Sequence, residues 1–310
     1  MDLGHLDIFL AVARHGSVTR AAQELGRSQS NVTTRIQQLE ADLQAELFLR
    51  AGKRMTLTAQ GATLLDYAHR LLALAGEARQ ALQPGQPQGR LRLGTMESTA
   101  ASRLPALLAA YHQQWPQVAL ALATGSSGEM FDAVATSRLD AAFVAVLPPP
   151  ELLDAWHAGQ PLPPGQAVPD TAGAPLQGRP AFREALMLVL PQSHPPITRP
   201  DQLAIGSMAV FDDRCSYRQL IEYWLTHGPH AIERPRVLEL QSYHAILASV
   251  ASGASIGIVP QSVLDLQPHV AVRTLHIGEV DTWLVWRQGL RSPALDALGG
   301  MLETTGPQGQ

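Results

Sequence analysis

Cysteine occurs once in these 310 residues, at Cys215, and lysine once, at Lys53. A single thiol excludes an internal disulfide and any zinc site built from several cysteines. Aromatic residues make up 5% of the chain and charged residues 16%, and the net charge of −4 excludes a uniformly basic coat for nucleic acid. No run of about 18 consecutive apolar residues is present, and the N-terminus MDLGHLDIF has neither the basic stretch nor the cleavage pattern of a secretory signal. These absences point to the cytoplasm and to no membrane partner. The eleven histidines show no HExxH or comparable spacing, and His227 and His230, separated by Gly228 and Pro229, read as a loop. A Walker loop, a nucleophile elbow and a Rossmann glycine fingerprint are also missing. An enzyme with a catalytic site on this chain therefore has little to stand on, and no cofactor or metal is expected.

What is present is enough apolar residue, 45%, for two or three domains with cores of their own. Charge is shared unevenly. Residues 1–90 hold 10 Lys+Arg and 8 Asp+Glu, giving +2, whereas residues 91–310 hold 13 and 19, giving −6. The positive end coincides with the most informative stretch, SVTRAAQELGRSQSNVTTRIQQL over residues 17–39. Ser17 can cap a helix over Val18 to Leu25 with Ala21, Ala22 and Leu25 turned inward, and Gly26 supplies a left-handed residue to end it. Ser28 caps a second helix from Gln29, in which Val32, Ile36, Leu39 and Leu43 recur on one face and predict a buried stripe. The opposite face carries Ser30, Thr34 and Gln37, flanked by Asn31, Thr33 and Gln38, with Gln29 at the exposed N-terminal end; Ser28 and Arg35 join them as expected DNA contacts. Uncharged amides and hydroxyls suit base edges, so two helices joined at Gly26 point to a helix-turn-helix on double-stranded DNA. An ordinary surface hairpin would share the polar face. The continuation favours DNA: Arg50-Ala-Gly-Lys53-Arg54 is a basic turn before the alternating Met55-Thr-Leu-Thr58, the place where a wing grips phosphates.

Ala59 to Leu82 read as one long helix with Leu64, Leu65, Ala68, Leu71, Leu72, Ala75 and Leu82 in an apolar band. That band suits a dimerising linker helix, core packing being the plainer alternative. Gln83 to Gly89 is a Pro/Gly/Gln hinge. The chain thus resembles a LysR-type transcriptional regulator over nearly its full length. Leu6 to Phe9, Ala21-Ala22, Gln29-Ser30 with Val32, Leu39-Glu40, Leu47-Phe48 with Arg50, and Leu57-Thr58 with Gly61 carry the likeness. Asn31 and Thr33 stand where the family usually has alanine and serine, so an operator cannot be borrowed from a relative.

Beyond residue 90, strands at Arg90 to Thr95, Val118 to Thr124 and Ala141 to Val146 alternate with helices at Glu97 to His112 and Gly128 to Thr136. A second series runs from Ala185 to Val259. Strand, helix and strand in alternation predict two parallel α/β lobes. The resemblance implies that they form a periplasmic-binding-protein-like sensor, with two chain crossings and a small-molecule effector between the lobes. It implies a homotetramer or dimer and contact with RNA polymerase as well. The expected layout is a winged helix-turn-helix over 1–58, a linker helix over 59–83, a hinge over 84–89, lobe I over 90–147 with 274–310, and lobe II over 181–273. Residues 148–180, with 9 prolines and 4 glycines, read as an irregular insertion holding a short helix at Leu152 to Ala158, a lid or simply a tolerated loop.

Open α/β sheets bind ligands at the carboxyl ends of their strands, where helix N-termini offer free amides. Ser98, Thr99, Thr124, Ser126 and Ser127 in the first lobe, and Tyr217, Arg218, Ser242 and Tyr243 in the second, are the expected effector contacts. Each serine or threonine is otherwise a helix cap. Arg218 or Arg214 would hold a carboxylate, and His244 could line the cleft. Segments around Cys215, Ser242 and Thr282 to Arg287 resemble family members linked to amine and putrescine catabolism. Cys215 at a helix N-terminus beside Arg214 and Arg218 has two reasons for a lowered pKa, opposed by Asp212 and Asp213, so a one-cysteine redox sensor is the alternative to a structural thiol.

Overall fold

The computed structural model describes every residue except Lys53, 83–86, 158–174 and 306–310. Lys53, part of the hinge and the middle of the expected insertion therefore lie outside the described residues. The chain divides into two compact units after Gly85.

The first unit begins with α1 (Leu3–His15), whose first turn is capped by Asp2 accepting from His5 N, and α2 (Val18–Glu24), capped by Ser17. Gly26, at φ +61°, makes the left-handed turn that residues with a Cβ adopt reluctantly. Next is α3 (Gln29–Leu43), capped by Ser28 Oγ accepting from Asn31 N at 3.2 Å. A short antiparallel hairpin, β1 (Phe48–Ala51) and β2 (Arg54–Leu57), precedes the long α4 (Ala59–Ala81). Ala21 and Ala22 are buried where the short helices meet, and the Phe9 and Phe48 rings pack with centroids 5.3 Å apart. The buried stripe of α3 is Val32, Ile36 and Leu39; Leu43, expected to continue it, is 36% exposed. The left-handed Gln44 ends the helix there, so Leu43 overshoots the core. On α4, Ala68 is buried and Leu64, Leu65 and Leu72 pack against that core, but Leu74 (62%) and, just past the helix end, Leu82 (83%) are exposed.

The second unit contains one eight-stranded sheet. Lobe I supplies β3 (Gly89–Thr95), α5 (Glu97–Ser102), α6 (Leu104–Gln114), β4 (Val118–Thr124), α7 (Ser127–Ala135) and β5 (Ala141–Val146). The helix expected to run unbroken from Glu97 to His112 is two helices. Pro105 occupies the first turn of the second, where its missing N–H does no harm, and it would have broken a continuous one. After α8 (Pro150–His157) the chain enters β6 (Leu176–Pro191). Lobe II then supplies β7 (Ser207–Val210), α9 (Ser216–Thr226), β8 (Arg236–Glu239), α10 (Tyr243–Ala251), β9 (Ile256–Pro260) and the short α11 (Gln261–Leu264). The chain returns along β10 (Val272–Arg287) and closes with α12 (Pro293–Thr305).

The strand order is β4-β3-β5-β10-β6-β9-β7-β8. Within it β3, β4 and β5 are parallel, as are β7, β8 and β9, and both β5 and β9 are buried along their whole length, as parallel strands covered on two faces must be. The 16-residue β6 and β10 pair antiparallel from Val272↔Pro191 to Arg287↔Leu176. One end of β10 pairs with β5 and one end of β6 with β9, so this pair joins the lobes. The strand expected to start near Glu184 therefore starts at Leu176, and residues 176–180 belong to the sheet and not to an irregular insertion. Gly178 and Pro180 hid it. Pro180 is accommodated because the ladder slips by one residue between Thr282 and Trp283, leaving Ala181 unmatched where a proline cannot donate.

A second slip, between His276 and Gly278, lets α8 dock. Trp156 is buried and donates from Nε1 to Glu279 O at 2.9 Å. A Cβ on Gly278, whose φ is +150°, would lie 2.6 Å from that nitrogen. Gly278→Ala is accordingly expected to destabilise the second unit by about 2 kcal/mol or more. Denaturant unfolding followed by tryptophan fluorescence checks this, an unchanged midpoint being the contrary result.

Candidate nucleic-acid interface and ligand cleft

On α3 the side chains of Gln29, Ser30, Asn31, Thr34, Gln37 and Gln38 are exposed and Thr33 is half-buried, so the face opposite Val32, Ile36 and Leu39 is an open strip of amides and hydroxyls. Ser28 has a structural task as well, since its Oγ accepts from Asn31 N and lies 3.1 Å from Ser30 Oγ. Arg35 is partly committed elsewhere: its Nη1 donates to His5 Nε2 at 3.0 Å and to Gln38 Oε1 at 3.4 Å. Arg50 and Arg54 are exposed on the hairpin and make no ion pair among the described residues. Glu40 is the residue whose role sequence reasoning missed. Its Oε1 accepts from the backbone amides of Leu47 and Phe48 at 2.9 and 3.3 Å, fixing the start of the hairpin against the helix.

In the second unit a cavity of about 330 Å³ opens between the lobes at the carboxyl ends of β3, β4, β7 and β8. Of the expected contacts, Thr124, Ser126, Ser127, Tyr217 and Tyr243 line it, as does Cys215; Ser98, Thr99, Arg218, Ser242 and His244 do not. Ser98 and Thr99, in the first turn of α5, are 2% and 1% exposed. Ser242 is a cap, accepting from Ala245 N. Arg218 cannot offer a fork to a carboxylate because lobe II uses it: Nε donates to Glu222 Oε1 at 2.9 Å and Nη1 to Phe211 O at 2.9 Å and Glu239 Oε2 at 3.4 Å. Arg214 is likewise occupied, bonding Gly128 O at 2.6 Å and the Asp132 carboxylate across the cleft. A further bridge between lobes is Tyr243 N donating to Glu97 Oε2 at 3.2 Å. Burial raises the Glu97 carboxyl above its ordinary value, against the lowering by that amide.

The carboxylates Glu97, Glu129, Asp212 and Glu239 also line the cavity and were not anticipated. Three of them follow or end a strand within two residues, at β3, β7 and β8. Acids placed at strand ends were the available signal, overlooked because helix N-termini directed attention to anions.

A family profile described as "Bacterial regulatory helix-turn-helix protein, lysR family" matches residues 3–62, and one described as "LysR substrate binding domain" matches residues 84–161 and 166–306. The chain belongs to the LysR family. The HTH-type transcriptional regulator YusT of Bacillus subtilis is 36% identical over 278 residues, covering 89% of this chain and 84% of that protein. SoxR of an Arthrobacter species is 30% identical over 299 residues, covering 92% and 93%. Among solved structures, full-length CbnR complexed with its target DNA superposes with a TM-score of 0.63 at 23% identity, covering 99% of this chain and 100% of that one. At that identity the likeness is one of fold. As a LysR-family protein the chain is a DNA-binding transcriptional regulator with an effector-binding domain. These relatives do not bear on the amine-catabolism subgroup. No helix among the described residues is long and apolar enough to cross a membrane.

Within this LysR-family domain the thiol of Cys215 speaks against the redox alternative and for the structural or pocket cysteine. Burial pushes its pKa up to about 11, and Asp212 adds to the rise; the amides of Arg218 and Tyr217 and the Arg218 charge oppose it without prevailing. The folded-state pKa is raised, so any stability linked to the protonated thiol is complete below the ordinary value of 9.0 and lost as pH rises through about 11. At neutral pH the thiolate fraction is about 100-fold below that of an unperturbed cysteine. Alkylation of the folded protein by iodoacetamide should be slower than that of a free thiol by about that factor, and peroxide should leave promoter binding unchanged; alkylation at the free-thiol rate would contradict the buried-thiol assignment.

Proposed function

We propose that α3 enters the DNA major groove with Gln29, Ser30, Asn31, Thr33, Thr34, Gln37 and Gln38 towards base edges, while Arg50 and Arg54, with Lys53, hold phosphates. The exposed, uncharged strip on α3, pinned by a buried stripe beneath it, is the observation that carries this reading. Its amides can make paired hydrogen bonds to adenine, and its short hydroxyls take either role. Two copies joined through α4 present two such helices, and the exposed Leu74 and Leu82 supply the apolar surface for that pairing. The protein acts in the cytoplasm as a dimer or tetramer. A small-molecule effector bound in the inter-lobe cavity shifts the lobes, alters the spacing of the paired helices, and so changes DNA bending and contact with RNA polymerase.

A gel shift with the DNA beside its own gene tests the interface. Binding should weaken steeply with salt, and Arg54→Ala should lower the slope of log K against log salt by about 1 per protomer, uniformly across sequences. Gln29→Ala should instead cost about 1–3 kcal/mol at particular base pairs and relax specificity there. Absence of a salt-sensitive shift at any protein concentration would sink the proposal. For the pairing helix, Leu74→Glu places a charge on an already exposed position, so folding should survive while sedimentation shows dissociation; an unchanged sedimentation coefficient would remove α4 from the interface.

A further inference from the structure

The charge lining the inter-lobe cavity is of one sign. Glu97, Glu129, Asp212 and Glu239 face it, and no lysine, arginine or histidine does. The nearby cations are spent: Arg214 is held by Asp132 and Gly128 O, Arg218 by Glu222, Glu239 and Phe211 O, and Arg103 by the buried Glu184. Glu239 thus has a partial partner, while Glu97, Glu129 and Asp212 form no ion pair among the described residues. Three of these acids also accept from backbone amides. Ser126 N donates to Glu129 Oε2 at 3.1 Å, Tyr243 N to Glu97 Oε2 at 3.2 Å and Arg214 N to Asp212 Oδ1 at 3.0 Å. A carboxylate ligand would enter a partly desolvated space among four acids with no cation among the described lining residues to meet it.

One further feature suits a ligand that is positive. Phe211 and Tyr243 also line the cavity, edge to face with centroids 4.9 Å apart, and aromatic faces attract ammonium groups. A bare metal ion is the wrong occupant, because among the described residues no three His, Cys, Asp or Glu side chains are grouped to hold one.

We propose that the effector is an organic ammonium ion with at least one primary amine, held by Glu97, Glu129 and Asp212 against Phe211 and Tyr243, and that free carboxylic acids are excluded. This rests on the reading of the cavity as the effector site. Charge-assisted hydrogen bonds from the ammonium supply both affinity and discrimination, since each amine proton finds an acid oxygen and a carboxylate finds none.

Thermal shift and calorimetry on the full-length protein test it, with diaminobutane as the four-carbon dication, succinate as the dianion of equal length, and butylamine as a monocation. The amines should raise Tm and succinate should not. Glu97→Gln and Glu129→Gln, which keep the shape and the amide-accepting oxygen, should each weaken amine binding by about tenfold or more. Ser126→Trp, which fills the cavity, should abolish it. Stabilisation by succinate that Ser126→Trp removes would overturn the cationic assignment and leave the effector site standing. Amine binding that survives Ser126→Trp, or no shift with either amine, would overturn the assignment too. The effector site itself fails separately, if the Ser126→Trp protein regulates its own promoter in cells with a wild-type response.

Discussion

The antiparallel pairing of β6 with β10 is the constraint on which the second unit depends. Each strand is 16 residues long and belongs to both lobes at once, so the pair is simultaneously the centre of the sheet and the double crossing between its halves. Because β5 joins one flank and β9 the other, the parallel strands of each lobe are laid out from this pair, and their carboxyl ends converge on the cavity. The two slips in its ladder are put to use. One admits Pro180, and the other, at Gly278, brings the Trp156 ring against the backbone and attaches α8 to the crossing.

The lobes are tied by polar contacts as well as by the apolar cluster in which Met96 and Ala145 of lobe I pack with the core of lobe II. Arg214 reaches Gly128 O and Asp132, Tyr243 N reaches Glu97, Ser216 Oγ donates to Ala145 O at 3.0 Å, and Arg103 meets Glu184. Contacts of this kind exchange for water at modest cost, which suits a pair of lobes that a ligand must rearrange. One of these bonds, from Tyr243 N to Glu97, joins two residues that also line the cavity. Glu97 shares its carboxylate between a lobe-bridging amide and the ligand space, so charge brought into the cavity is felt at the bridge.

The first unit was legible in detail because its signals are local. Ser17 and Ser28 are caps in the structure, and a helix period with Val32, Ile36 and Leu39 inward needs no distant information. The lobes were legible as alternating strands and helices, but β6 was not, because Gly178 and Pro180 speak against a strand unless a bulge and a 16-residue partner accommodate them. The cleft was half legible. Strand ends located Thr124, Ser126, Ser127, Tyr217 and Tyr243, whereas Arg218 looked available only because its three partners, distributed over α9, the turn after β7 and β8, cannot be seen along the chain. For Cys215 the arginines that suggested the redox alternative are visible in sequence, and the burial that outweighs them is not.

The central claim is that occupancy of the cavity and occupancy of the DNA surface are linked. Linkage is reciprocal, so ligand affinity must depend on whether operator DNA is bound. Calorimetric titration of diaminobutane into the full-length protein, free and saturated with operator, measures this directly. The account predicts affinities that differ by about 5-fold or more between the two states. Equal affinities with and without DNA would contradict it.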